Sequence, residues 1–125
     1  MADAPILIYG GTGAIGSAIA RRLAAAGRRV HLVARDPDAL AALARETSAT
    51  TTAGDVMDPA LFERATADAA GDGALAGLAY AVGTIRLKPF HRLTAAEIEE
   101  DFALNALGAA RAVQAALPAL RKADG

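Results

Sequence analysis

"IYGGTGAIGSAIA", residues 8–20, sets four glycines within positions 10–16, between an apolar run and a string of small helix formers. Glycine permits left-handed turns and close backbone approach, and it weakens regular elements. Placed where a strand hands over to a helix, these glycines either make a tight turn or clear backbone amides for something bulky and negative. Upstream, residues 5–9 (PILIY) read as a short buried strand. Downstream, a helix is expected over about residues 14–26, stopping at Gly27.

Further along the chain the alternation repeats. Residues 30–34 (VHLVA) form a second strand, and Asp36-Pro37 supplies an N-cap and first-turn proline for a helix through about residue 45. A third strand is expected near residues 49–53. Asp58-Pro59 repeats the cap signal ahead of a helix to about residue 69. After the Gly71-Asp72-Gly73 turn, residues 74–82 (ALAGLAYAV) read as a fourth apolar strand. Thr94 and Glu97 make a capping box that opens a long final helix. Strand and helix in strict alternation imply right-handed crossovers and a parallel sheet covered on both faces. The expected architecture is an α/β doubly wound sheet over residues 1–125, incomplete on its C-terminal side. Its strand order would be 3-2-1-4, with a ligand crevice where the winding reverses.

Bulk properties narrow the function classes. With 125 residues, 54% hydrophobic and 22% charged, the chain falls in the range of one globular domain. A net charge of −1 and only 4% aromatic residues argue against nucleic acid, which needs a basic field and stacking platforms. No apolar run approaches the roughly 20 residues of a membrane span. Cysteine is absent, which excludes disulfides and thiolate metal sites and fits a cytoplasmic protein. His31 and His91 have no partners at metal-ligand spacing, so no metal site is expected.

The position of the glycines favours the second of the two readings. The turn of residues 10–16 lies at the crevice-facing end of the first strand, where helix N-terminal amides and the macrodipole attract phosphate. Gly11, Gly13 and Gly16 satisfy G-x-G-x-x-G, and in strand-turn-helix context that spacing points to a dinucleotide. The stretch Tyr9-Gly10-Gly11-Thr12-Gly13-Ala14-Ile15-Gly16 resembles the T-G-x-x-x-G-x-G fingerprint of the short-chain dehydrogenase/reductase family, with Tyr9 in place of threonine and Ala14 in place of the middle glycine. The resemblance implies a Rossmann fold, an oxidoreductase, and cofactor contacts from Gly10, Gly11, Thr12, Gly13, Ala14, Ile15 and Gly16.

It also bears on the cofactor. The family's ribose-binding carboxylate would fall on Ala34, which cannot serve, and Arg35 comes next, as in members that use NADP. A guanidinium can fork onto a 2′-phosphate and stack beside adenine. NADP(H) is therefore expected over NAD(H). The alternatives are a solvated Arg35 and an Asp36 that contacts a diol rather than capping its helix. Gly54-Asp55-Val56 is similar to the family's D-V segment, in which the aspartate receives the adenine amino group and the next amide touches the ring; a loop-capping Asp55 is the rival. Tyr80-Ala81-Val82-Gly83 stands where the family shows N-N-A-G, so Ala81, Val82 and Gly83 would pass beneath the cofactor ribose.

In the last helix Ile98, Phe102, Ala109, Ala112 and Ala116 fall on one stripe, with Asn105 inside it. Burying an amide without partners is costly, so Asn105 is expected to have a definite hydrogen-bond duty. "FALNALG" is similar to the family's F-x-V-N-x-x-G, whose asparagine holds a water leading to the catalytic lysine; a core asparagine satisfied by a neighbouring loop is the alternative. A second stripe of Ala106, Ala110, Val113 and Leu117 makes the helix apolar almost all round. Residues 94–120 are thus expected to meet a second copy or a complementing chain, as the resembled family commonly does.

The resemblance covers about the first half of a family member. The Tyr-x-x-x-Lys pair is not in this sequence: neither Tyr9 nor Tyr80 has a lysine four residues on. Three readings are open: a fragment of an NADP(H)-dependent reductase acting on an alcohol or carbonyl, one part of a split enzyme, or a non-catalytic NADP(H)-binding sensor or interaction module.

Overall fold

A computed structural model describes residues 3–125. Four parallel strands, β1 (Ile6–Tyr9), β2 (Val30–Ala34), β3 (Thr50–Ala53) and β4 (Gly77–Tyr80), stand in the order β3-β2-β1-β4. The strands are linked by helices α1 (Ala14–Ala25), α2 (Pro37–Thr47) and α3 (Leu61–Ala70). After β4 come a 3₁₀ turn (Phe90–Arg92), α4 (Ala95–Phe102), a π-helical turn (Ala103–Leu107) and α5 (Gly108–Lys122). Register aligns Tyr9 with both Val33 and Tyr80, so β1 and β4 end level, while β2 runs one residue further and ends level with β3.

Period-2 alternation divides the strand side chains between two cores. Ile8, Val30 and Leu32 pack with Ala20, Leu40 and Leu43 under α1 and α2. Leu7, Tyr9 and Val33 pack with Leu61, Phe62, Ala65, Ala112 and Ala116 under α3 and α5. The Tyr9 ring lies 5.5 Å from Phe62 and 5.9 Å from Tyr80, centre to centre. Its hydroxyl and that of Thr66 are buried without a hydrogen-bond partner among the described residues, and burial pushes the Tyr9 pKa up to about 12.

Three expectations shift. Asp58-Pro59 makes a turn rather than the first helical residues: Asp58 Oδ1 accepts from the Ala60 N–H at 3.0 Å, and α3 starts at Leu61. β4 is shorter than its apolar run, because buried Ala74 and Leu75 precede the paired residues. The stripe drawn through the last helix also breaks. Ala112 and Ala116 are buried, but Ile98 and Phe102 are 49% and 62% exposed. The π turn adds one residue to the helical path, which rotates α4 by about 100° relative to α5. The second stripe is open, with Ala106 and Ala110 exposed along with Val113 and Leu117.

His31, inside β2, is 1% exposed and has a partner on each ring nitrogen. Thr52 Oγ1 donates to Asp68 Oδ2 at 2.7 Å, so it accepts from His31 Nε2–H at 2.7 Å. Nδ1 then accepts from Thr50 Oγ1 at 2.6 Å. This chain fixes a neutral imidazole, and burial lowers its pKa below the ordinary 6.5 despite the pull of Asp68. Because the unfolded chain binds this proton more readily, the stability carried by neutral His31 is complete above pH 6.5 and is lost below it. Urea melts should show stability falling from pH 7 to pH 5 with a slope from this one proton of at most about 1.4 kcal/mol per pH unit. His31→Gln should flatten that slope; an undiminished slope would place the acid sensitivity elsewhere.

Candidate functional site

The level strand ends leave a cleft of about 720 Å³ at the point where the chain reverses its winding, between the continuations of β1 and β4. Its floor is the turn from β1 into α1. Gly10 adopts φ +75°, and a β-carbon there would stand 2.5 Å from the Ala81 carbonyl oxygen. Gly16 packs so closely beneath the turn that a β-carbon would meet the Gly10 oxygen at 1.9 Å. These two glycines are therefore required by the fold itself. Gly11 is held against Leu32, its N–H bonded to the Val33 carbonyl at 3.1 Å.

Gly13 differs. As the N-cap of α1 it has φ −73° and ψ 173°, open to any residue, and a β-carbon would touch nothing nearer than 3.4 Å. No side chain caps the helix, and the N–H groups of Ala14, Ile15 and Gly16 have no partner among the described residues. An uncapped α1 thus points free amides and the positive end of its dipole beside the cleft that Gly10, Thr12 and Gly13 line.

The other walls come from the remaining strand ends. Arg35 comes directly after β2 and lines the cleft with an exposed side chain. Asp36 is a helix cap: its Oδ1 accepts from the N–H groups of Asp38 at 2.9 Å and Ala39 at 3.4 Å. After β3, Asp55 Oδ1 accepts from the Met57 N–H at 2.9 Å, which braces the loop, while Oδ2 has no partner among the described residues. Val56 lines the cleft and anchors its side chain in the core. After β4, Ala81, Val82 and Gly83 complete the opposite wall.

Asn105 does not line the cleft and is not buried. It sits in the π turn and clasps the backbone of Thr84, which does line it: Oδ1 accepts from Thr84 N–H at 2.8 Å and Nδ2 donates to Thr84 O at 3.1 Å. Of the sequence candidates, Gly10, Thr12, Gly13, Arg35, Asp55, Val56, Ala81, Val82 and Gly83 meet at the cleft. Gly11 and Gly16 support its floor, Ala14 and Ile15 lie at the helix start beside it, and Asn105 acts through Thr84.

Sequence reasoning missed the far rim, where Thr84, Glu100 and Leu104 join the lining. It also missed the brace that holds that rim. Arg86 reaches Asp101 with two bonds of 3.1 and 3.2 Å and Glu97 at 3.0 Å, and Lys88 reaches Glu97 at 2.8 Å. Lys88 and the Thr94 N–H hold the Glu97 carboxyl down to about 2, and the Asp101 carboxylate raises the Arg86 guanidinium. The available signal was acids at 97, 100 and 101 facing bases at alternate positions 86 and 88. Neither tyrosine offers a free hydroxyl to the cleft. Tyr9 is buried, and Tyr80 Oη donates to the Leu104 carbonyl at 2.7 Å.

A family model described as short chain dehydrogenase matches residues 4–125. Among solved structures, the chain is similar to a dehydrogenase/reductase from Sinorhizobium meliloti 1021 (TM-score 0.88, 26% identity, 95% of this chain and 50% of that one). A short-chain dehydrogenase from Streptomyces avermitilis matches with TM-score 0.87 and 30% identity over 95% of this chain and 45% of that one. A short-chain type dehydrogenase/reductase from Mycobacterium ulcerans matches with TM-score 0.87 and 25% identity over 94% and 46%. The chain spans about half the length of these structures. No curated protein matches it at a significant level.

Packing predicts unequal effects at the glycines. Gly10→Ala and Gly16→Ala should each lower stability in urea melts by about 1–3 kcal/mol, the usual range for overpacking. Gly13→Ala should change it little. Equal losses at all three would show that Gly13 too is held by the fold.

Proposed function

The chain belongs to the short-chain dehydrogenase family, oxidoreductases that use a nicotinamide dinucleotide, and we propose that its cleft is an NADP(H) site. The protein would serve reversible hydride transfer between NADP(H) and an alcohol or carbonyl. The observation that carries the reading is the uncapped start of α1. Three N–H groups stand without partners beside a glycine whose bare α-carbon the fold does not need. Unpaired amides at a helix start suit an anion, and a pyrophosphate fits both their charge and the room at Gly13.

The remaining roles are assigned by position. Arg35 would hold the 2′-phosphate, since it reaches the cleft after a strand that ends in Ala34 and has no carboxylate for a ribose diol. Asp36 is occupied as a cap, which leaves the guanidinium as the discriminating group. The free Oδ2 of Asp55 would take the adenine amino group, with the Val56 N–H beside the ring. Ala81, Val82 and Gly83 would run beneath the cofactor ribose. Bound here, the nicotinamide ring supplies or accepts the hydride. Asn105 would order the catalytic end by fixing Thr84. The open stripe of Ala106, Ala110, Val113 and Leu117 would meet a second copy or a complementing chain.

The alternative reading is a non-catalytic NADP(H)-binding sensor or interaction module. Turnover with carbonyl substrates on addition of a complementing chain separates the two.

Calorimetry tests the site. Arg35→Ala should lower the preference for NADP(H) over NAD(H) ten- to hundredfold, as expected for a charge-assisted bond of about 1.5–3 kcal/mol. An unchanged ratio would remove Arg35 as the discriminator. Gly13→Asp should move two observables in opposite directions. A carboxylate at the N-cap should stabilise α1 by a few tenths to about 1 kcal/mol, while weakening NADP(H) at least tenfold by occupying its amides. Unweakened binding in that variant would rule out the pyrophosphate assignment.

A further inference from the structure

The last helical run departs from α geometry at one place, and one side chain from the sheet reaches that place. Across the π turn Ala103–Leu107 the Gly108 N–H bonds five residues back, to the Ala103 carbonyl. In a regular helix Gly108 would pair with the Leu104 carbonyl. That carbonyl instead accepts from Tyr80 Oη at 2.7 Å. Gly108 makes room for the hydroxyl, since a β-carbon there would stand 2.1 Å from Tyr80 Oη. π turns are rare, because an inserted residue disturbs the i→i−4 ladder, and a group that enters the ladder is a recognised cause of such departures.

The next residue after Leu104 is Asn105, whose amide holds both the N–H and the carbonyl of Thr84. Gly83 admits this clasp closely, as a β-carbon there would lie 3.3 Å from Asn105 Oδ1. Two-point bonding to one peptide backbone tolerates little rotation of the asparagine. One residue more or fewer in the turn swings side chains on one side of it by about 100° relative to the other.

We infer that Tyr80 is a positioning residue: by holding the Leu104 carbonyl out of the α ladder, its hydroxyl keeps the π turn open and aims Asn105 at Thr84. β4 thereby acts twice on the cleft, through the backbone of residues 81–83 and through a side chain that sets the helix facing them. Position 80 thus has a role beyond filling the core, although its ring packs against Tyr9. The consequence for a bound dinucleotide rests on the NADP(H) reading; the consequence for Asn105 does not.

Tyr80→Phe keeps the ring and removes only the hydroxyl. In the 125-residue protein without ligand, NMR should show the Asn105 side-chain amide moving toward free-amide shifts. The Thr84 N–H should exchange with solvent at least tenfold faster. Gly108→Ala, which drives the hydroxyl away with Tyr80 intact, should reproduce both changes and carries the test if Tyr80→Phe does not fold. Unaltered Asn105 and Thr84 signals in either folded variant would overturn the inference.

A second readout separates positioning from general loosening. Tyr80→Phe and Asn105→Ala should each weaken NADP⁺ several-fold, and the double variant should bind no worse than Asn105→Ala alone. Additive losses would overturn the coupling. Failure of the unmodified protein to bind NADP⁺ would remove the cofactor reading, while the amide measurements would still decide Tyr80.

Discussion

The closeness of Gly16 to the Gly10 carbonyl is the constraint that shapes the site. With no side chain at either position, the chain leaves β1 through a left-handed residue and enters α1 almost at once. The helix start is therefore fixed beside the ends of β1 and β4. A larger residue at either point would push α1 away from the strand end and take its free amides with it. The level ends of β1 and β4 then give those amides a cleft to face.

The two sides of this cleft are secured by different means. The β1–α1 side is made rigid by backbone packing, with glycines admitted only where contact demands them. The β4 side is set by side chains: Tyr80 on the Leu104 carbonyl, Asn105 on Thr84, and Arg86 and Lys88 on the acids of α4. Exposed ion pairs contribute little individually, but here several share one guanidinium and one carboxylate and keep the rim beside its helix. Removing polar atoms should therefore disturb the β4 side far more than the glycine floor.

Much of the fold was legible because its signals are local. The glycine spacing, Asp36-Pro37 and the Thr94–Glu97 capping box each declare a boundary within four residues, and the structure has a helix start at each. Asp58-Pro59 carries the same signal as Asp36-Pro37 but closes a turn first, so local chemistry alone misplaced the start of α3 by two residues. The Ile98–Phe102–Ala112 stripe failed for a different reason. Its phase is broken by a π turn tied to a hydroxyl 24 positions upstream of Leu104, a contact that no helical periodicity can reveal. Asn105 is exposed rather than buried within an apolar stripe, and its two bonds to Thr84 depend on that same turn. The cleft residues found from the sequence lie at strand ends, where topology brings them together. The missed rim depends on pairings across a loop.

Whether the unpaired amides at the start of α1 receive a pyrophosphate can be read by an NMR titration of the isotope-labelled protein with NADP⁺. Binding at this turn should produce saturable shifts in the backbone amides of Ala14, Ile15 and Gly16, accompanied by Arg35 and by the residues after β4. Amides at the α1 start that stay still at saturating nucleotide, while shifts gather on another surface, would refute the assignment.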